Sequence, residues 1–337
     1  MMLDLLTGGA FLATLIGAVL RASTPLLFAA LGGLVSELAG SINIALEGMM
    51  LVAAFFGVIA SAYSPHWFPA APMWLHPWVG CTAGVAAAVA LAGLLAVFHL
   101  ELGADLILAG IGINILAEGL TTFLLVAITG DKGSTAGLAS FAMPRLHLPL
   151  VDAVPVLGPL VNGDGLGGQN ILVYGAFAAA ALVRFVLYRT GFGLHLRAVG
   201  ENGDAARSAG ISVRRMRYAG LLLSGLLAGF GGVFLAMGYL TLFQTDMVAG
   251  RGFLALAAVF LGARRPLGIL AAALLFGASQ VFAAQLGLYL PSQIVFMVPP
   301  IVTIAALVLF NQRRRRAERR RVAAGIATIF ANTRIIE

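Results

Sequence analysis

GMMLVAAFFGVIASAYSPHWFPAAPMWLHPWVGCTAGVAAAVALAGLLAVFHL, residues 48–100, contains no Asp, Glu, Lys or Arg. A helix that crosses a bilayer needs roughly 20 apolar residues, so this run is long enough for two. His66, Pro69, Trp74 and Pro77 interrupt it, which predicts a turn between two spans. Trp67, Trp74 and Trp78 cluster there, as aromatic side chains do at a membrane–water interface. A second uncharged run covers 266–312 and is broken at Pro291.

Working outward, the whole chain has this character. Of 337 residues 60% are hydrophobic and 10% charged, against about a quarter charged in a soluble domain. The expected fold is therefore all-α: a polytopic membrane helix bundle with 8–10 transmembrane helices, including broken or re-entrant segments. Candidate segments are 9–34, 43–61, 79–98, 106–128, 171–187, 219–240, 252–262, 267–287 and 292–310. Arg21 and Pro25 suggest that the first is two pieces. Segment 252–262 is about 17 Å long at 1.5 Å per residue, too short for roughly 30 Å of hydrocarbon. It is expected to be a half-helix, shielded by protein or a cavity.

Charge fixes the orientation. Twenty of the 21 basic residues are Arg. Loop 188–218 carries Arg189, Arg197, Arg207, Arg214, Arg215 and Arg217, and the tail carries Arg313 to Arg316 and Arg319 to Arg321. The positive-inside rule puts both in the cytosol and the Pro- and Gly-rich loop 129–170 outside. The division is a membrane domain over 1–312 and a basic cytosolic tail over 313–337. No basic residue precedes Arg21, so the N-terminus does not read as a cleavable signal.

Within the arginine-rich loop, residues 191–210 read GFGLHLRAVGENGDAARSAG. Asn202 can cap a short helix beginning at Gly203. Asp204 then sits in the first turn, where the macrodipole favours an anion, and Gly210 can end the helix. Ser212 can cap the helix that follows. Ala205, Ala206 and Ala209 are small enough to let another surface approach closely. On these residues alone the segment is either a docking knob or an ordinary connector.

Polar residues inside the spans form a second group. Asn43 and Glu47 are spaced i, i+4, as are Asn114 and Glu118, a spacing that shares a helix face. A carboxylate at mid-bilayer costs at least about 2.5–3.5 kcal/mol on insertion scales, so both pairs should face protein or a water-filled path. With Phe123 and Gln244 they are the candidate substrate-path residues, Phe243 being a further ring. The first pair could instead satisfy a broken backbone near Gly40 and Gly48.

Several chemistries find no support. TGDKGST, 129–135, lacks the Gly-Lys-Ser/Thr order of a phosphate loop. The five His have no metal-ligand spacing, so no metal is expected. No nucleophile, base and acid are placed for catalysis. Cys81 has no partner for an internal disulfide.

Three stretches, SELAGSINIALEGMM (36–50), GLHLRAVGENGDAARSAGI (193–211) and GRGFLALAAVFLGARRPLG (250–268), resemble the permease subunits of bacterial ABC importers for simple sugars, nucleosides and branched-chain amino acids. The wording looks most like the nucleoside type, and the resemblance covers about residues 15–310. It departs where the family often has Pro and this chain has Gly203. The resemblance implies that 200–211 is a coupling helix held by a separate cytosolic ATPase. Glu201, Asn202, Gly203, Asp204, Ala205, Ala206, Arg207, Gly210 and Ile211 would be its contacts, with Ala205, Ala206 and Ile211 packing. It further implies a second, paralogous permease, an extracytoplasmic binding protein or lipoprotein, and no cofactor on this chain, ATP being used by the partner. An ion-gradient-driven secondary transporter and a membrane-embedded lipid-modifying enzyme are the alternatives.

Overall fold

Helix α1, Gly9–Leu38, runs unbroken through Pro25, so Arg21 and Pro25 do not divide the first segment. Beside the proline, the Leu20 carbonyl accepts from Ser23 Oγ at 3.0 Å and Thr24 Oγ1 at 2.7 Å. The computed structural model describes residues 9–147, 162, 168–287, 289, 297–308 and 312, with side chains from residue 14 onward. The basic tail 313–337 lies outside the described residues.

After α1 come α2 (Leu46–Trp67), α3 (His76–Leu100) and α4 (Leu106–Thr129). Strands β1 (Arg145–Leu146) and β2 (Gln169–Asn170) pair antiparallel, Arg145 opposite Asn170. Helices α5 (Ile171–Arg189), α6 (Gly191–Glu201), α7 (Gly203–Ser208) and α8 (Val213–Val233) follow. α8 widens into a π turn, Phe234–Tyr239. The last elements are α9 (Arg251–Leu261), α10 (Pro266–Leu286) and α11 (Met297–Val308). Seven of these helices are long and apolar enough to cross a membrane, and α9 and α11 are shorter apolar helices. The bundle is an all-α polytopic membrane fold with short elements among the spans, as its composition predicts.

α1, α2 and α8 form the centre. Lipid is as apolar as leucine, so membrane helices associate through close packing of small residues. A Cβ on Gly232 would lie 2.0 Å from the Met50 carbonyl oxygen, and one on Gly84 2.4 Å from that of Ala53. These two positions let α8 and α3 meet α2 backbone to backbone. α4 is peripheral. Gly110, Ile113, Ala117, Thr121 and Leu125 make its buried stripe, while Leu108, Ile115 and Phe123 stay exposed, a face suited to lipid or a second subunit.

Residues 39–45, between α1 and α2, are not helical. Leu38 abuts the arginine-rich end of the molecule, since a Cβ on Gly200 would sit 2.2 Å from its carbonyl oxygen. The chain then turns back inward. Asn43 bonds Ser224, eleven residues into α8, and Gly48 bonds Asn114, eight residues into α4. At 1.5 Å per residue those contacts lie about 16 and 12 Å along their helices. The break is thus near half of roughly 30 Å of hydrocarbon.

Candidate functional site

Two features carry polar groups out of the apolar frame: a knob at the arginine-rich end and the mid-depth break. The knob is built by caps. Thr190 Oγ1 accepts from the Gly193 N–H at 3.2 Å and opens α6. Asn202, extended at φ −153°, closes α6 and opens α7, its Oδ1 accepting from the N–H groups of Asp204 (3.1 Å) and Ala205 (3.0 Å). That bond satisfies two orphan donors of the first turn. At the other end Gly210 has φ +79°. The Ile211 N–H donates to the Ala206 carbonyl at 2.9 Å and the Gly210 N–H to Arg207 at 3.0 Å, the two bonds of a glycine-terminated helix. Six residues of α7 are thus fixed although a helix this short is unstable alone.

The back of the knob rests on its own chain. Val199, Ala206 and Val213 form a small buried cluster, with Ile211 and Met216 packed against it. Ala206 is 4% exposed, which corrects the expectation that it packs on a partner: Val199 of α6, Ala206 of α7 and Val213 of α8 close on one another. Ile211 likewise packs inward. Ser212 sits at the N-cap of α8 but makes no side-chain cap bond. Glu201, Asn202, Asp204, Ala205, Arg207 and Gly210 are exposed, and Gly203 is partly so. Arg207 Nη1 lies 3.7 Å from Asp204 Oδ1 with both side chains largely in solvent, a pair that adds little stability and leaves both charges available. At Gly203 the nearest atom to a built Cβ is 3.7 Å away, so the first helical position has room for a larger residue.

Two ion pairs lie near the knob's level. Arg264, at φ +57°, places Nε 2.8 Å from Glu37 Oε1 and ties the α9–α10 turn to the end of α1. Glu101, just past α3, accepts from Tyr218 Oη at 2.6 Å and from Arg214. The Tyr218 hydroxyl first, and Arg214 with it, hold the Glu101 carboxyl below the usual range.

At the break, α2 begins at Leu46, so Asn43 is not on the helix of Glu47 and the two share no helix face. Asn43 is fully buried. Its Nδ2 donates to Ser224 Oγ at 2.8 Å and its Oδ1 accepts from the Ala45 N–H at 2.9 Å. Asn114 spans the same gap, accepting from the Gly48 N–H at 2.8 Å and donating to the Ile44 carbonyl at 3.0 Å. Glu47 reaches the half-helix α9. Its Oε1 accepts from the Gly250 N–H at 2.7 Å and its Oε2 from the Gly252 N–H at 2.6 Å. In hydrocarbon no water satisfies these donors, and the carboxylate also meets the positive end of the helix dipole.

The other candidates lie elsewhere. Glu118 is exposed on α4 and Phe123 is 69% exposed. Gln244 is exposed, and its backbone pairs with Ser134 in an isolated bridge. Phe243 is fully buried, its ring edge-on to Phe55 at 5.2 Å, and belongs to the core. Helix α6 and the joining of 133–135 to 243–245 escape sequence reasoning. Asp246, Ala249, Ala263 and Arg264 adopt positive φ without being glycine, which the sequence does not announce.

The chain matches, over residues 15–307, the family described as branched-chain amino acid transport system / permease component. It is 36% identical over 307 residues to the guanosine ABC transporter permease protein NupQ of Bacillus subtilis, covering 90% of this chain and 93% of that one. It is 34% identical over 293 residues to the nucleoside ABC transporter permease protein NupC of Lactococcus lactis, covering 86% and 89%. A putative glucose ABC transporter permease protein of Haloferax volcanii, TsgC13, is 34% identical over 267 residues, covering 79% and 76%. No solved structure matches.

Proposed function

The chain belongs to the permease-component family of the branched-chain amino acid transport system type, and from that premise we propose how it works as the permease subunit of an ABC importer for nucleosides or simple sugars. The arginine-rich end is the cytosolic side, with the basic tail there too. The knob is the coupling helix: Glu201, Asn202, Asp204, Ala205 and Arg207 meet a cytosolic ATPase, while Gly203 and Gly210 bound the helix. Ala206 and Ile211 anchor it from behind. A second, paralogous permease covers the exposed face of α4, and an extracytoplasmic binding protein or lipoprotein delivers solute to the opposite end. The chain binds no cofactor of its own; ATP is used by the partner.

One observation carries this reading. The knob is capped at both ends, backed by its own apolar cluster and polar outward, so a push on it is transmitted rather than absorbed. It rests against Leu38, whose helix is tied through Glu37 and Arg264 to α9, and α9 is tied through Glu47 to α2. Solute and nucleotide must each favour one of two arrangements for transport to follow. In the solute path, Glu118, Phe123 and Gln244 offer their side chains to the space between subunits. Asn43, Glu47 and Asn114 frame it by holding the broken backbone. A carboxylate engaged by two backbone donors gives no support to a proton-coupled alternative.

The test is reconstitution. Vesicles holding this chain, the paired permease and the ATPase, with the binding protein on the opposite face, should take up labelled guanosine or glucose only with ATP on the ATPase side. Uptake by this chain alone, at full rate without nucleotide, would overturn the proposal.

A further inference from the structure

A cavity of about 330 Å³, with apolar walls and five polar side chains, lies among α1, the π turn, α9 and α10. Arg21, Tyr239, Arg251, Gln280 and Gln285 supply its polar lining, and Phe234 is among its apolar walls. Among the described residues no carboxylate lines it. A second cavity of about 580 Å³, between α9, α10 and α11, shares Arg251, Gln280 and Ala284 with the first, so the two adjoin. Ligand pockets typically hold roughly 300–1,000 Å³.

The depth of the two arginines makes the cavity unusual. Arg251 stands between Gly250 and Gly252, whose N–H groups bond Glu47, so it lies at the level of the break. Arg21 is seventeen residues before Leu38, about 25 Å from the arginine-rich end at 1.5 Å per residue. An arginine within a span is expensive and by default functional. Neither is loose. Arg251 Nη1 donates to the Met247 and Val248 carbonyls at 3.0 Å each. Arg21 Nη1 lies 3.4 Å from Gln169 Oε1. Guanidinium planes held this way are set before a ligand arrives, which lowers the entropy lost on binding.

We propose that this cavity is a solute-binding site for a purine nucleoside, in which Arg251 takes the adjacent carbonyl oxygen and ring nitrogen of the base. The inference rests on the importer reading above and goes beyond it by naming the site and the recognised edge. A guanidinium fits such an acceptor pair with two parallel hydrogen bonds, as it does guanine O6 and N7. Gln280 and Gln285 both donate and accept. That suits ribose hydroxyls and exocyclic amines, whereas an anion would call for donors alone. Tyr239 adds a hydroxyl and an exposed ring.

The test uses the full transporter, this chain with its paired permease, ATPase and binding protein, in vesicles, the binding protein being the same for every variant. Uptake of guanosine is compared with that of 7-deazaguanosine, which lacks the ring nitrogen. Losing one good bidentate contact corresponds to roughly 10- to 100-fold discrimination. The wild type should prefer guanosine by that factor in KM. Arg251→Lys, which cannot bond bidentately, should bring the two solutes within about threefold of each other. Co-purification of the ATPase reports assembly. Should Arg251→Lys fail to assemble, Arg251→Gln, whose carboxamide can donate to only one of the two acceptors, is read in the same way and must also shrink the preference. Equal KM values for the two solutes in the wild type, or an undiminished preference in the assembled variants, would overturn the site while leaving the importer reading intact. Stronger competition by guanosine 5′-monophosphate than by guanosine would overturn it in favour of an anion site. ATP-driven uptake of glucose with no nucleoside uptake would overturn the nucleoside class itself.

Discussion

Glu47→Ala should destabilise the bundle by about 3 kcal/mol, and the effect should appear in stability before solute affinity. The carboxylate accepts two N–H bonds at 2.7 and 2.6 Å, and a hydrogen bond to a charged group is worth about 1.5–3 kcal/mol in soluble proteins. The sum is about 3–6 kcal/mol, but in membranes the unfolded reference also finds partners, and measured bonds between helices average about 0.6 kcal/mol. The lower half of the range is therefore expected, with two orphaned donors preventing a smaller value. For a chain of 337 residues, at about 2.1 cal/mol/K of unfolding entropy per residue, three kcal/mol corresponds to a fall in Tm on the order of 4 °C. Glu47→Gln should be nearly as harmful: its carboxamide oxygen can serve one N–H, but its NH2 then confronts the other. The assay is thermal unfolding in detergent followed by size exclusion, paired with uptake kinetics on the folded fraction. If Glu47 were a solute contact instead, the variants would raise KM with Tm unchanged. A Tm within about 1 °C of the wild type in Glu47→Ala, less than the roughly 1.4 °C that 1 kcal/mol represents at this length, would refute the capping argument.

Gly232→Ala should sharply lower the folded yield, because its Cβ would lie 2.0 Å from the Met50 carbonyl oxygen and overpacking against backbone costs at least about 1–3 kcal/mol. Gly203→Ala, with 3.7 Å of clearance, should leave Tm equal or slightly higher when the two are compared on the same gel-filtration series. Ala205→Glu, on the exposed side of α7, should preserve the bundle and abolish ATPase co-purification. Ala206→Glu, in the buried cluster, should instead expose the knob to limited proteolysis before any partner is added. Glu101→Gln should be less stable than the wild type at neutral pH. Its carboxyl is held below the usual range by Tyr218 and Arg214, so its contribution is present above a carboxylate's ordinary pKa of about 4.3. It is lost as pH falls through the depressed value, and the two unfolding curves should converge in acid.

Much of the fold was legible because lipid imposes length and polarity directly. The two uncharged runs became α2 with α3, and α10 with α11, and the 252–262 segment proved too short to span, as its 11-residue helix shows. Asn202 and Gly210 were readable as caps because each acts on backbone within a few residues. Helix α6 was hidden by its composition. GFGLHLRAVGE contains three glycines and reads as loop, yet Gly193 is there because Val186 and Leu187 leave no room for a Cβ. The continuity of α1 was hidden for the opposite reason: Pro25 signals a break, while the burial of the residues that follow it, Leu26 to Leu31, holds the helix in place.

The intramembrane polar residues mark where sequence reasoning stops. A spacing of four says that two residues share a face only if one helix holds both, and it says nothing of depth. Asn43 and Glu47 fail the first condition because the helix starts between them, at Leu46. What brings Asn43, Glu47 and Asn114 together is the need of a broken backbone for hydrogen-bond partners where water is absent. Those partners come from α8, α9 and α4, far off in sequence. The signal that could have located the break is the coincidence of Gly40, Ser41 and Asn43 with a short apolar helix two hundred residues later. One supplies orphan groups and the other a helix start. A half-helix that ends at mid-depth needs an acceptor at its N-terminus, and a carboxylate buried at mid-depth needs donors. Each of the two unfavourable features is what makes the other tolerable, so α2 and α9 are expected to move as one unit.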